Sequence, residues 1–110
     1  MKKLLLILLC LPMIGFGQQT YVPDDNFEAY LEANGMGNGI ANDDYVTTAN
    51  ISSALTLNLQ SQNISNLTGI EDFVNLQFFN CNYNQISYLD LSNNASLISV
   101  KCNNIVARLV

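Results

Sequence analysis

The chain holds 110 residues, room for one small domain, and sets four basic against nine acidic side chains for a formal charge of −5. That negative excess repels phosphate backbones and argues against a nucleic-acid partner. Histidine is absent, which removes the usual base of a serine or cysteine nucleophile and leaves too few ligands for a zinc shell.

Residues 1–17 have the three-part layout of a secretory signal peptide: Met1-Lys2-Lys3, an apolar run from Leu4 to Ile14, and small residues at Gly15 and Gly17 before Gln18. The run is shorter than the ~20 residues of a membrane-spanning helix, so no stable membrane insertion is expected after cleavage. Cys10 follows Leu8 and Leu9 rather than small residues, which argues against a lipidated cysteine. Cleavage would leave Lys101 and Arg108 against nine carboxylates, a charge of −7. The expected location is secreted or cell-surface.

Residues 18–53 are expected to form an N-terminal linker, a capping helix and a loop. Gln18 to Val22 is the linker. Pro23-Asp24-Asp25-Asn26 opens a helix, with Asp25 as cap and Glu28 three residues on. Phe27, Tyr30 and Leu31 form one apolar stripe, Glu28 and Glu32 are expected to face water, and Asn34-Gly35 ends the helix. A helix this short needs a surface to pack on. Gly35 to Asp44 follows as a Gly/Asn/Asp loop. Asn34, Asn38, Asn42, Asp43 and Asp44 are hard-cation ligand types, but the spacing of a calcium loop is not met and such residues also build turns. No metal or cofactor is expected.

Residues 54–110 repeat. Ala54-x-x-Leu57-x-Leu59-x-x-Gln62-x-Ile64-x-x-Leu67 returns as Leu76-x-x-Phe79-x-Cys81-x-x-Asn84-x-Ile86-x-x-Leu89 and restarts as Leu97-x-x-Val100-x-Cys102. Apolar residues at fixed phases of a 21–22-residue period describe a leucine-rich repeat. The expected fold is an α/β solenoid with a short parallel β-sheet on its concave face and an N-terminal capping helix. Thr56 to Gln60 is the first strand, and Leu57, Phe79 and Val100 stack into a common interior. Asn84 should bond the turn backbone in a ladder, with Gln62 in the same place one coil earlier. Cys81 and Cys102 share an inward phase on strands ~4.8 Å apart. A disulfide is sterically allowed there, but parallel side-chain directions favour two buried thiols.

On these motifs, residues 22–104 resemble the N-terminal region of secreted bacterial leucine-rich-repeat proteins, internalin-like in repeat phase and of the Bacteroidota type. The segments VPDDNFEAYLEANG and NISNLTGIEDFVNLQFFNCNYNQISYLDLSNNASLISVKCNN carry the resemblance. It implies an exported protein whose solenoid binds other proteins or cell-surface material.

The third coil departs from the frame, with Ile105 where the ladder asparagine belongs. Two full coils, a partial third and no C-terminal cap suggest a truncated product, or a small solenoid whose last strand pairs with another copy. Val100, Ile105, Val106 and Leu109 are then expected to be exposed, and the chain to self-associate.

Catalysis is not expected. Glu71-Asp72 is expected to be a solvated face, and Asp90 to serve a turn. The sheet face remains: Thr56, Asn58, Gln60, Phe78, Asn80, Asn82, Ser99, Lys101 and Asn103, with Tyr83 at the rim. Phe78 is turned outward because the alternation puts Phe79 inward. Asn-x-Ser/Thr triplets at Asn50, Asn63, Asn66 and Asn94 arise readily in an Asn-rich repeat. The functional expectation is an exported module binding a protein or glycan on its concave face. The alternative is a truncated, non-binding or self-associating structural fragment.

Overall fold

A computed structural model describes residues 17–103. Residues 1–16 of the expected signal peptide, and Ile105, Val106 and Leu109, lie outside the described residues.

The expected linker is a strand. β1 (Gln19–Tyr21) pairs antiparallel with β2 (Tyr45–Thr47), Thr20 opposite Val46. Its pattern is period-2, Thr20 and Val22 buried and Tyr21 exposed, but over too few residues to stand out. The Tyr21 and Tyr45 rings lie 5.6 Å apart on the outer side. Inside, the Thr20 hydroxyl meets the Thr48 hydroxyl at 2.6 Å and donates to Asp72 Oδ2 at 2.7 Å. Asp72 is therefore a tie between this ribbon and the repeats, which corrects its assignment to a solvated face.

Helix α1 (Asp25–Ala33) is capped by Asp24, not Asp25. Asp24 sits in extended backbone, and its Oδ1 accepts from the N–H groups of Asn26 and Phe27, both at 3.0 Å. At the other end the N–H of Met36 reaches Leu31 O (2.8 Å) and that of Gly35 reaches Glu32 O (3.4 Å), with Gly35 at φ 75°. That is a Schellman stop, and the half-buried Met36 supplies its apolar contact. Phe27 and Leu31 are buried, and Phe27 stacks on Phe73 of the repeats at 6.2 Å.

Glu28 does not face water. It is fully buried, and its two oxygens accept the N–H groups of Asp43 and Asp44, each at 3.0 Å. One turn on, Glu32 accepts those of Asn38 and Gly39 at 2.9 and 3.0 Å. The 35–44 loop has no strand partner for these amides, so the two helix carboxylates satisfy them. Burial, then the neighbouring Asp43 carboxyl, raises the pKa of Glu28 above the ordinary glutamate value of 4.5. Burial pushes Asp43 upward too, but the Asn38 amide and the Tyr45 N–H outweigh it and hold Asp43 below its ordinary 3.8.

Glu28→Gln should cost about 1–3 kcal/mol near neutral pH, because an amide oxygen can serve only one of the two N–H groups. The raised Glu28 stabilises the fold at low pH, and that contribution is lost as pH rises through its folded value. The depressed Asp43 acts oppositely, but only near and below 3.8. Melting curves at about pH 5 and about pH 7 should therefore show the wild-type advantage over the Gln variant larger at the lower pH. An advantage that shrinks on acidification would contradict the buried placement of Glu28 beside Asp43.

After the short helix α2 (Thr48–Ser52), three parallel strands follow: β3 (Thr56–Asn58), β4 (Phe78–Asn80) and β5 (Ser99–Lys101). Leu57, Phe79 and Val100 are aligned in register, as the repeat spacing requires. β3 is shorter than expected because Asn58 Oδ1 takes the N–H of Gln60 and turns the chain. Returning arcs join the strands, and Leu59, Ile64, Leu67, Ile70, Phe73 and Leu76 fill the space between sheet and arc. A 3₁₀ turn (Ile70–Asp72) follows Gly69, whose φ is 110°. A Cβ there would lie 2.7 Å from Val22 Cγ2 and 2.9 Å from Tyr21 O, so glycine lets the N-terminal ribbon seat on the first coil. Val100 is 37 % exposed.

Asn84 is buried and fully engaged. Its Oδ1 accepts from Gln62 and Ile64 N–H (3.0 Å each), and its Nδ2 donates to Leu59, Cys81 and Asn82 carbonyls at 2.7, 3.0 and 3.2 Å. Gln62 does not share the ladder. Its side chain is exposed and folds back on Gln60 O, and Asn84 reaches down to serve its backbone instead. A second buried amide, Asn94, donates to Ile70 O and Phe73 O of the preceding coil. Its Asn-x-Ser triplet thus presents no free amide.

Cys81 and Cys102 form a disulfide, with Cα atoms 4.9 Å apart. This corrects the expectation of two thiols: side chains that share a direction still bridge when a single strand spacing separates them. Closing a loop with a sequence separation of 21 contributes about 3 kcal/mol in the chain-entropy account.

Candidate functional site

Alternation sorts β3 and β4 into an inner and an outer face, while β5 is exposed along its length. Phe79 is 2 % exposed and Phe78 is 45 % exposed. Phe78 stands between Thr56 and Ser99, and Asn80 between Asn58 and Lys101, in the same register. These six residues, with Leu57 and Phe79, line a shallow depression of about 210 Å³. The structure thus brings together Thr56, Asn58, Phe78, Asn80, Ser99 and Lys101 as the sequence indicates.

The remaining predicted residues separate from this group. Gln60 is exposed beside it, accepting from Asn80 Nδ2 at 3.0 Å. Tyr83 is 54 % exposed, at φ 60°, and does not line the depression. Asn103 is exposed past the last strand. Asn82 is buried, and its Oδ1 accepts the N–H of Asn103 in the next coil. It ties coils together, because the chain already turns inward after Asn80 Oδ1 takes the Asn82 N–H at 3.0 Å.

The amides on this face are held before any ligand arrives. Asn58 Oδ1 holds Gln60 N–H, Gln60 Oε1 holds Asn80 Nδ2, and Asn80 Oδ1 holds Asn82 N–H. The Asn58 NH₂ group, the hydroxyls of Thr56 and Ser99, and the Lys101 ammonium stay available around the Phe78 ring. Lys101 is the only cation among the described residues. The face therefore offers one aromatic anchor, one positive charge and several neutral donors on an otherwise acidic molecule.

The carboxylates of Glu71, Asp72 and Asp90 are each held by hydrogen bonds within the fold. Glu71 Oε1 accepts the Gly69 N–H at 2.9 Å, Asp72 holds Thr20, and Asp90 Oδ1 accepts the Ser92 N–H at 2.9 Å. Hydrogen bonds from the Ser92 hydroxyl and N–H, then Tyr88, keep Asp90 below its ordinary range. Two carboxylate trios converge near the helix, Asp25-Glu28-Asp44 and Glu28-Glu32-Asp43. Both Glu28 oxygens and both Glu32 oxygens are already taken by loop amides.

Sequence reasoning missed one feature. The arcs of the first two coils enclose a larger cleft of about 630 Å³, which shares no lining residue with the sheet face. The signal lay in matched phases, Ser65 with Ser87 and Thr68 with Asp90, where both coils carry hydrogen-bonding side chains.

No protein-family model matches the chain, and no curated protein does. Among solved structures it is similar to the functional domain of InlJ from Listeria monocytogenes, a domain that includes a cysteine ladder. The two share 26 % identity with a TM-score of 0.61, over 86 % of this chain and 24 % of that one. The chain thus spans about a quarter of that domain's length. The fold is related to that of an internalin leucine-rich-repeat domain. Among the described residues no helix is long and apolar enough to cross a membrane.

Proposed function

We propose, from this kinship, that the chain is an exported leucine-rich-repeat module whose solenoid holds a protein or glycan on its sheet face and performs no catalysis. Phe78 carries the reading: a 45 % exposed ring at the centre of a face whose neighbouring amides are already oriented. An aromatic anchor ringed by fixed polar groups is the usual composition of a binding hot spot. The disulfide and the leader-like N-terminus agree with an extracytoplasmic setting.

Probing the purified full chain against a glycan array and a panel of cell-surface proteins tests it. Phe78→Ser should weaken the strongest interaction by about tenfold or more, as truncating a hot-spot side chain does, with an unchanged melting temperature. Equal binding by the variant would place the interaction elsewhere. Self-association is favoured by one observation, the 37 % exposure of Val100 on the last described strand. A mass that rises with concentration in sedimentation, in a chain that captures nothing, would favour it.

A further inference from the structure

We infer that the cleft between the arcs is a second binding site, independent of the sheet face, for a neutral saccharide. Its volume, about 630 Å³, falls within the range of small-ligand sites. Glu71 and Asp90 line it and no cation does, so phosphates, sulfates and acidic sugars are repelled. Leu67 and Ile70 are its only aliphatic lining residues, and both are buried, exposing 4 % and 3 %. An acyl chain or a large apolar side chain would face nine hydrogen-bonding side chains among the eleven lining residues. A hard cation is poorly served too, because Glu71 and Asp90 belong to different coils and join neither carboxylate trio. What fits is an uncharged ligand dense in hydroxyls.

The lining groups suit such a ligand. Asn66 Oδ1 is taken by the N–H and hydroxyl of Thr68, at 2.8 and 2.7 Å, which orients its NH₂ group without using it. Glu71 accepts one backbone N–H through Oε1, leaving Oε2 for a sugar hydroxyl, and Asp90, oriented by Ser92 and Tyr88, keeps acceptor capacity on its two oxygens for another. The Tyr88 ring is 64 % exposed at the edge and offers the flat apolar surface that the C–H face of a pyranose covers. One wall is rigid: Asp24 Oδ2 accepts the N–H groups of Ser65 and Asn66 at 2.9 and 3.0 Å, and Asn26 Nδ2 donates to Asn63 O at 2.8 Å. Groups fixed before binding lose little entropy when the ligand arrives.

The test is amide chemical-shift mapping of the full chain with neutral trisaccharides of glucose, mannose and N-acetylglucosamine, each to about 10 mM, a weak-binding range. At least one should shift residues 65–71 and 87–93 and leave the strand residues 78–80 in place. Tyr88→Ala and Asp90→Asn should each weaken it by about tenfold, while Phe78→Ser should not. Asp90→Asn keeps the Oδ1 acceptor for Ser92, so the turn survives. No shift with any sugar, shifts confined to the sheet, or unchanged binding by both cleft variants would overturn the proposal. Binding of spermidine instead, abolished by salt, would overturn it in favour of a cation. Failure here leaves the sheet-face reading intact, since the two sites share no residue.

Discussion

An Asn84→Ala chain should lose about 3–6 kcal/mol of stability, because one small side chain closes five backbone groups at once. Alanine would leave the N–H groups of Gln62 and Ile64 and the carbonyls of Leu59 and Cys81 without that partner in a buried turn, while Asn82 O keeps the Ser61 N–H. Each orphaned group costs about 1–3 kcal/mol, reduced where water enters the space left behind. The loss is a large part of the about 5–15 kcal/mol by which whole domains are stable. Asn84→Asp refines the point. Its carboxylate keeps the acceptor side but sets a negative oxygen against three carbonyls, so it should be no better than alanine near neutral pH. Acidification should restore part of the loss, as protonation returns one donor. Urea unfolding of the three chains decides it, and a cost for alanine below about 1 kcal/mol would remove Asn84 from its assigned role.

Phe27→Ala should cost about 3–5 kcal/mol, the usual range for emptying a buried aromatic site. The ring is fully buried and stacks on Phe73 at 6.2 Å, so it joins the helix to the first coil. A helix of nine residues does not persist alone. Its amides should therefore exchange with solvent by local opening in the variant, well before those of β3 and β4. A matched Tyr21→Ala change removes a ring that is 50 % exposed and should cost far less. Equal costs for the two would mean that the cap is not docked through Phe27.

The contrast between these residues shows what the sequence carried. Leu57, Phe79 and Val100 could be aligned in advance because a period of 21–22 residues leaves their register no freedom. Phe78 followed, since a strand that buries one residue must turn its neighbour out. Where period ended, legibility ended. Glu28 was assigned to water because its helix position lies beside the apolar stripe, and only the loop amides of Asp43 and Asp44, folded back over it, make that position interior. Asp24 was passed over as a cap because Asp25, and not Asp24, has a glutamate three residues on. Gln62 stood at the right phase but is too long to fold into the turn, so its neighbour's amide serves in its place. The disulfide was misjudged on side-chain direction, not on spacing, since the Cα atoms lie 4.9 Å apart, close to one strand spacing. The cleft between the arcs is a product of two coils side by side, and each half alone is an ordinary polar loop.

Asp24 has one further consequence, for the order in which the molecule can assemble. One carboxylate oxygen finishes the helix start, while the other grips Ser65 and Asn66, 41 and 42 positions further along. A chain emerging amino end first therefore cannot complete its opening element until some forty more residues have cleared the exit. Until then Phe27 has no surface to cover it and the ribbon at Thr20 lacks Asp72. The beginning of this protein waits for its middle, and that interval is when the nascent chain is most open to a chaperone or protease.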